Sequence, residues 1–149
     1  MERVEASDVS GEARMSVQTL RVPWMMSSAV DVRRALVAEL RALGVDAVVV
    51  DETEIVISEL VTNAVRHAEP LADGTIHVSW SVRADVVEIE VTDGGGPTTP
   101  HPAPRSVWSA GGRGLRIVGS LAHEWGVREN GTGSSVWASM GGPSSRHSS

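Results

Sequence analysis

Apolar and polar positions change rhythm several times along this chain, and each change marks an element. Ser16 to Val22 alternates, with Val17 and Leu20 set among Gln18, Thr19 and Arg21, and Pro23 closes the run. Alternation ended by proline predicts a short strand. Ser27-Ser28, with Asp31 shortly after, has the form of a helix N-cap. Val30, Val37 and Leu40, with Ala29, Leu36 and Leu43, then recur at helical spacing, and Gly44 is a stop signal. A longer helix is predicted over Asp46 to Ala68. Its later half places Ile57, Val61, Ala64, Val65 and Ala68 on one face, and Glu69-Pro70 ends it.

The period then shortens to two. Thr75 to Arg83 carries Ile76, Val78, Trp80 and Val82 on one face, and Val86 to Thr92 carries Val87, Ile89 and Val91. Ala84-Asp85 between them has hairpin length without the favoured Asn-Gly chemistry. From Asp93 to Gly112 the rhythm stops in a stretch rich in Gly, Pro, Ser and Thr. Loops of that length are lids, binding loops or disordered segments. Leu115, Ile117, Val118 and Leu121 restore a helical pattern. Glu124 to Arg128 and Ser134 to Met140 read as two last strands about a turn at Asn130-Gly131.

This order predicts an α+β fold: a two-layer sandwich of one mixed, mostly antiparallel sheet with its helices on one face. Residues 1–14 read as a flexible polar tail, 15–141 as the domain, and 142–149, rich in Ser, as a disordered tail.

Composition narrows the chemistry. The 149 residues suffice for one domain with a real core. Without cysteine there is no disulfide framework and no thiolate metal site. Every Lys/Arg position is arginine. A Walker-type P-loop needs a lysine on the phosphates, so that route to nucleotide is closed, as is a lysine Schiff base. The net charge of −6 argues against direct nucleic-acid binding. No apolar run reaches membrane-span length, and the N-terminus lacks the order of a signal peptide. A cytoplasmic location is expected.

Four constellations remain. Glu59, Asn63 and His67 follow one another at i, i+4 and i+8, at the rim of the predicted apolar face. A carboxylate and an amide there suit a water and a hard cation, or simply form the polar edge of an amphipathic helix. Asp93-Gly94-Gly95-Gly96 follows a strand. Its carboxylate suits a donor such as an adenine amine, and its glycines let a flat ligand approach; a plain flexible turn reads the same way. Gly111-Gly112-Arg113-Gly114-Leu115 opens a helix, where free N–H groups and an arginine suit phosphate, as does an ordinary hinge. Gly131-Thr132-Gly133-Ser134 joins two strands, as a close-approach site or a hairpin turn.

Taken in this order, the four resemble the boxes of the GHKL ATPase superfamily, whose Bergerat fold is shared by gyrase, histidine kinases and anti-sigma-factor serine kinases. The resemblance covers about Met15 to Gly141. Ile57 to Ala64 is similar to the N box, Val91 to Gly96 to the first glycine box, Gly112 to Leu115 to the second, and Gly131 to Ser135 to the last. Within the superfamily the chain is most similar to the short anti-sigma-factor serine kinases of bacteria and their actinobacterial relatives.

The resemblance implies roles. Asn63 would coordinate Mg²⁺ on the ATP phosphates, and Glu59 would be the general base. Asp93 would hydrogen-bond the adenine amine, with Gly95 allowing close approach. Arg113 and the Gly112 and Gly114 backbone, with Leu115 beside them, would contact phosphate, and Thr132 would lie near the adenine end. His67 receives no role. Pro97 departs from the pattern, standing where the family often has glycine, and stiffens the first hinge of the lid. The implied activity is an ATP-dependent serine/threonine protein kinase acting as an anti-sigma factor, with a sigma factor and an anti-sigma-factor antagonist as partners. The alternative is an ATP-binding module that sequesters a partner without phosphotransfer. A homodimer fits the resemblance. Arg33, Arg34 and Arg41 flank the first helix's apolar stripe and suit a dimer or partner contact, or a solvated face.

Overall fold

The computed structural model describes residues 2–5, 16–95, 113–130 and 133–141. The expected α+β sandwich is present. In chain order the elements are β1 (Glu2–Glu5), β2 (Ser16–Pro23), α1 (Ser28–Ala42), α2 (Ala47–His67), β3 (Thr75–Arg83), β4 (Val86–Asp93), α3 (Arg113–Leu121), β5 (Glu124–Asn130) and β6 (Gly133–Gly141). The strands form one six-stranded sheet in the order β1-β2-β3-β4-β6-β5. All five pairings are antiparallel, where the sequence allowed a mixed sheet.

Local chemistry sets the boundaries. Asp46 caps α2 by accepting from the Val48 N–H at 3.2 Å. Ser27 takes the N-cap position of α1 without a side-chain cap bond, and the Ser28 hydroxyl instead donates to the Pro23 carbonyl at 2.6 Å. Gly44, at φ +77°, ends α1. Its N–H reaches the Arg41 carbonyl while the Val45 N–H reaches that of Leu40, so a left-handed residue closes the last turn.

The core lies between the helices and one sheet face. α1 packs on β2, α2 on β4 and β6, and α3 on α2. The inward residues of β3 and β4 are those the alternation predicts: Ile76, Val78, Trp80 and Val82, then Val87, Ile89 and Val91. On α1 the buried row is Val32, Leu36 and Leu40, an unbroken i, i+4 row. Val30 and Leu43, expected in the stripe, are exposed: Val30 falls midway between the buried Ser28 and Val32, on the opposite side of the helix, and Leu43 is the C-cap residue past the last turn. Glu2–Glu5, read from the sequence as part of a loose tail, pairs with β2 in the register Glu2↔Arg21 to Glu5↔Gln18. A four-residue strand with two glutamates has no apolar rhythm to find, and short charged strands are what sheet edges favour.

On the other sheet face, Trp137 lies flat on Gly126, where an added Cβ would come within 2.9 Å of the ring. The Arg128 guanidinium stacks 5.2 Å from that ring's centroid and reaches Glu90 at 3.2 Å. Among the described residues no helix is long and apolar enough to cross a membrane.

Leu60 is wholly buried on α2 against the sheet. Leu60→Ala is expected to cost about 2–5 kcal/mol, read as a lower midpoint in urea unfolding with an unchanged slope.

Candidate functional site

The candidate site is drawn from α2 and the two strands it packs on, β4 and β6. Asp93 continues the inward parity of Val87, Ile89 and Val91, so its side chain turns toward the helical layer although it is charged. It is 1% exposed. Ser134, opposite it on β6, is also buried. The Gly95 N–H donates to Asp93 Oδ1 at 2.7 Å, with Gly95 at φ +90°. Left-handed backbone of this kind favours glycine.

Burial pushes the Asp93 carboxyl up from 3.8 to about 6, against the opposing pull of the Gly95 N–H. Desolvation disfavours the charged form more than one hydrogen bond restores it. A carboxylate so placed accepts a donor strongly once ionised.

On α2, Asn63 is 4% exposed, deeper than the rim position its polarity suggests. Its Nδ2 is buried without a hydrogen-bond partner. A buried donor of this kind wants an acceptor, and a phosphate oxygen is one. An amide also carries an oxygen on the same carbon, which a half-turn about its last bond presents to a cation. Glu59, one helical turn earlier, is half-buried, as is His67 one turn later. Among the described residues no three His, Asp or Glu side chains converge on a metal position.

The remaining expected residues divide. Arg113, Gly114 and Leu115 lie in the first turn of α3, with α3 packed on α2. Gly112 and Thr132 lie outside the described residues, as do Pro97 and most of the expected lid. Asn63 and Glu59 thus lie on α2, and Asp93 and Gly95 at the end of β4, a strand on which α2 packs.

Sequence reasoning missed three contributors. Leu71 lies 3.5 Å from where a Cβ on Gly133 would stand, and that Cβ would also overlap the Asp93 carbonyl oxygen. Glu69 bonds by its main chain to both Gly94 and Gly95. Gly94 itself was noticed only as one of a run. Three successive glycines signalled a tight place, but the wall that makes it tight lies elsewhere in the chain.

A protein-family model described as a histidine kinase-like ATPase domain matches residues 25–140. No curated protein matches the chain. Among solved structures it is similar to the RsbU and RsbW domains of Rv1364c from Mycobacterium tuberculosis, at 22% identity and a TM-score of 0.64. That likeness covers 83% of this chain and 32% of the other, so the chain spans about a third of the protein it matches.

The raised Asp93 pKa fixes a pH dependence. The native state holds this proton more tightly than the unfolded chain, so the Asp93 contribution to stability is fully present below about pH 4. It falls as pH rises from 3.8 to about 6 and then levels off. The loss is about 3 kcal/mol. Urea unfolding between pH 4 and 7 should show this fall in the wild type and a smaller one in Asp93→Asn.

Proposed function

We propose, from the premise that this chain belongs to the histidine kinase-like ATPase domain family, that it binds ATP with Mg²⁺ and transfers the γ-phosphoryl group to a protein serine or threonine. The observation that carries the reading is the pair of polar side chains sunk between the layers, Asn63 on α2 and Asp93 on β4. Neither helps the core. Each has the chemistry one end of ATP requires.

In this reading the Asp93 carboxylate accepts from the adenine amine, and Gly95 leaves room for the ring. Asn63 holds Mg²⁺ on the phosphates, and the ion supplies charge neutralisation there. Glu59 takes the proton of the attacking hydroxyl. Gly112, Arg113 and Gly114 contact phosphate, with Leu115 beside them, and Thr132 lies near the base. Positioning and fixed charge do most of the work in such transfers.

The motif resemblance to short anti-sigma-factor kinases supports the finer reading. The acceptor is then an anti-sigma-factor antagonist, the sequestered partner is a sigma factor, and the action is cytoplasmic.

Titration calorimetry with MgATP tests the site. The wild type should bind, and Asn63→Ala should weaken binding at least about tenfold and remove its dependence on Mg²⁺. Labelled ATP then tests transfer. Glu59→Gln should cut labelling of an antagonist about a hundredfold or more while leaving ATP affinity near wild type. A wild type that binds ATP and labels no antagonist would instead support the sequestering module.

A further inference from the structure

The segment that leaves α2 does not run free to β3. The Glu69 N–H donates to the Gly95 carbonyl at 2.9 Å, and the Gly94 N–H donates to the Glu69 carbonyl at 2.7 Å. Two residues on, the Leu71 N–H donates to the Thr75 carbonyl at 2.9 Å, which ties the segment to the start of β3. The β3–β4 register ends at His77↔Thr92, so beyond Thr92 the flank of β4 has left its ladder. Residues 69–71 take over that flank as a backbone strap.

There is no room at this crossing. A Cβ on Gly94 would overlap the Pro70 carbonyl oxygen, stand 2.8 Å from the Pro70 carbonyl carbon and 3.0 Å from the Glu69 oxygen. All three are main-chain atoms of the strap, and none can swing aside as a side chain does. Gly95 differs: a Cβ there meets nothing within 4 Å, and its demand is the positive φ alone. The two neighbouring glycines therefore serve separate ends, one for space and one for conformation.

The strap acts on the carboxylate through one residue. Gly95 uses its N–H on Asp93 Oδ1 and its carbonyl on the Glu69 N–H. Whatever moves Glu69 moves the group that orients Asp93. The strap also begins directly after α2, which ends in the bond from the Ala68 N–H to the Ala64 carbonyl. It thus fixes the carboxylate relative to the helix that carries Asn63.

We propose that Gly94 and the Glu69 main chain are positioning elements that aim the Asp93 carboxylate at the nucleobase and so set the preference for adenine. The inference rests on the reading that ATP lies with its base at Asp93. Gly94 acts through its fit against the Pro70 and Glu69 main chain. A methyl there forces the strap and the strand end apart and turns the carboxylate out of line.

The test uses the full chain, with MgATP and MgGTP titrated into the wild type and Gly94→Ala and circular dichroism as a check on folding. The wild type should prefer ATP. Gly94→Ala should lose about tenfold or more in ATP affinity, the scale of one charge-assisted hydrogen bond, and its ATP-to-GTP ratio should fall toward one. A merely structural loss would weaken both nucleotides alike and leave that ratio intact, which overturns the proposal. A folded variant with wild-type ATP affinity does so too. Amide hydrogen exchange on the wild type covers the case in which the variant does not fold. The Glu69 and Gly94 N–H groups should be protected together and exchange more slowly with ATP bound; unprotected rates overturn the strap. A wild type that binds neither nucleotide overturns the nucleotide reading, and this proposal with it. Binding by the wild type with no change in the variant overturns the proposal alone.

Discussion

The candidate site depends on the seating of α2 on β4 and β6. The contact is apolar along most of its length: Ile57, Leu60, Val61 and Ala64 from the helix, Val87, Ile89, Val91, Val136 and Ala138 from the strands. Hydrophobic burial drives it and does not distinguish one residue from the next. Periodicity does distinguish them. A strand's inward face recurs every second residue, and a helix's every three or four. Asp93 and Asn63 fall on the inward periods of their elements. They are carried into the interface by their neighbours.

How far the sequence reveals this depends on the kind of signal. β3 and β4 are legible nearly to the residue, because Ile, Val and Trp alternate with Ser, Thr and Glu without a break. Helix ends are legible where a cap has its own chemistry, as at Asp46 and Gly44. β1 is invisible because its residues are mostly charged and its only partner is another strand's edge. The depth of Asn63 is hidden for a related reason: an amide reads as polar wherever it sits, and its burial is decided by the sheet opposite. The order of the boxes brings Glu59, Asn63, Asp93 and Gly95 into view from the chain alone. The steric need at Gly94 stays hidden, since its cause is the carbonyl of Pro70, brought there only by folding.

Asp93 and Asn63 also run against the stability of the fold. One carries a charge the interior resists, and the other a donor with nothing to bond. Apolar residues of similar size at both positions would pack without either cost. A fold selected for stability alone would have no use for them. Local choices that oppose the global fold concentrate at functional sites. Here two such choices, from segments distant in sequence, are buried on elements that pack on each other.

The same conflict gives a ligand its leverage. A molecule that presents a donor to Asp93 and a phosphate with its bound cation to the Asn63 amide would remove both penalties at once, and only in the folded state. Binding confined to the native state stabilises it in proportion to the logarithm of ligand concentration over its dissociation constant. The strap extends this coupling through covalent structure, since the chain that leaves the Asn63 helix is bonded to the turn that orients Asp93. On the proposed reading, a ligand held at one end meets the other end already in place. It loses less entropy than it would between two loops free to move, which is the advantage of a preorganised site over one assembled on contact.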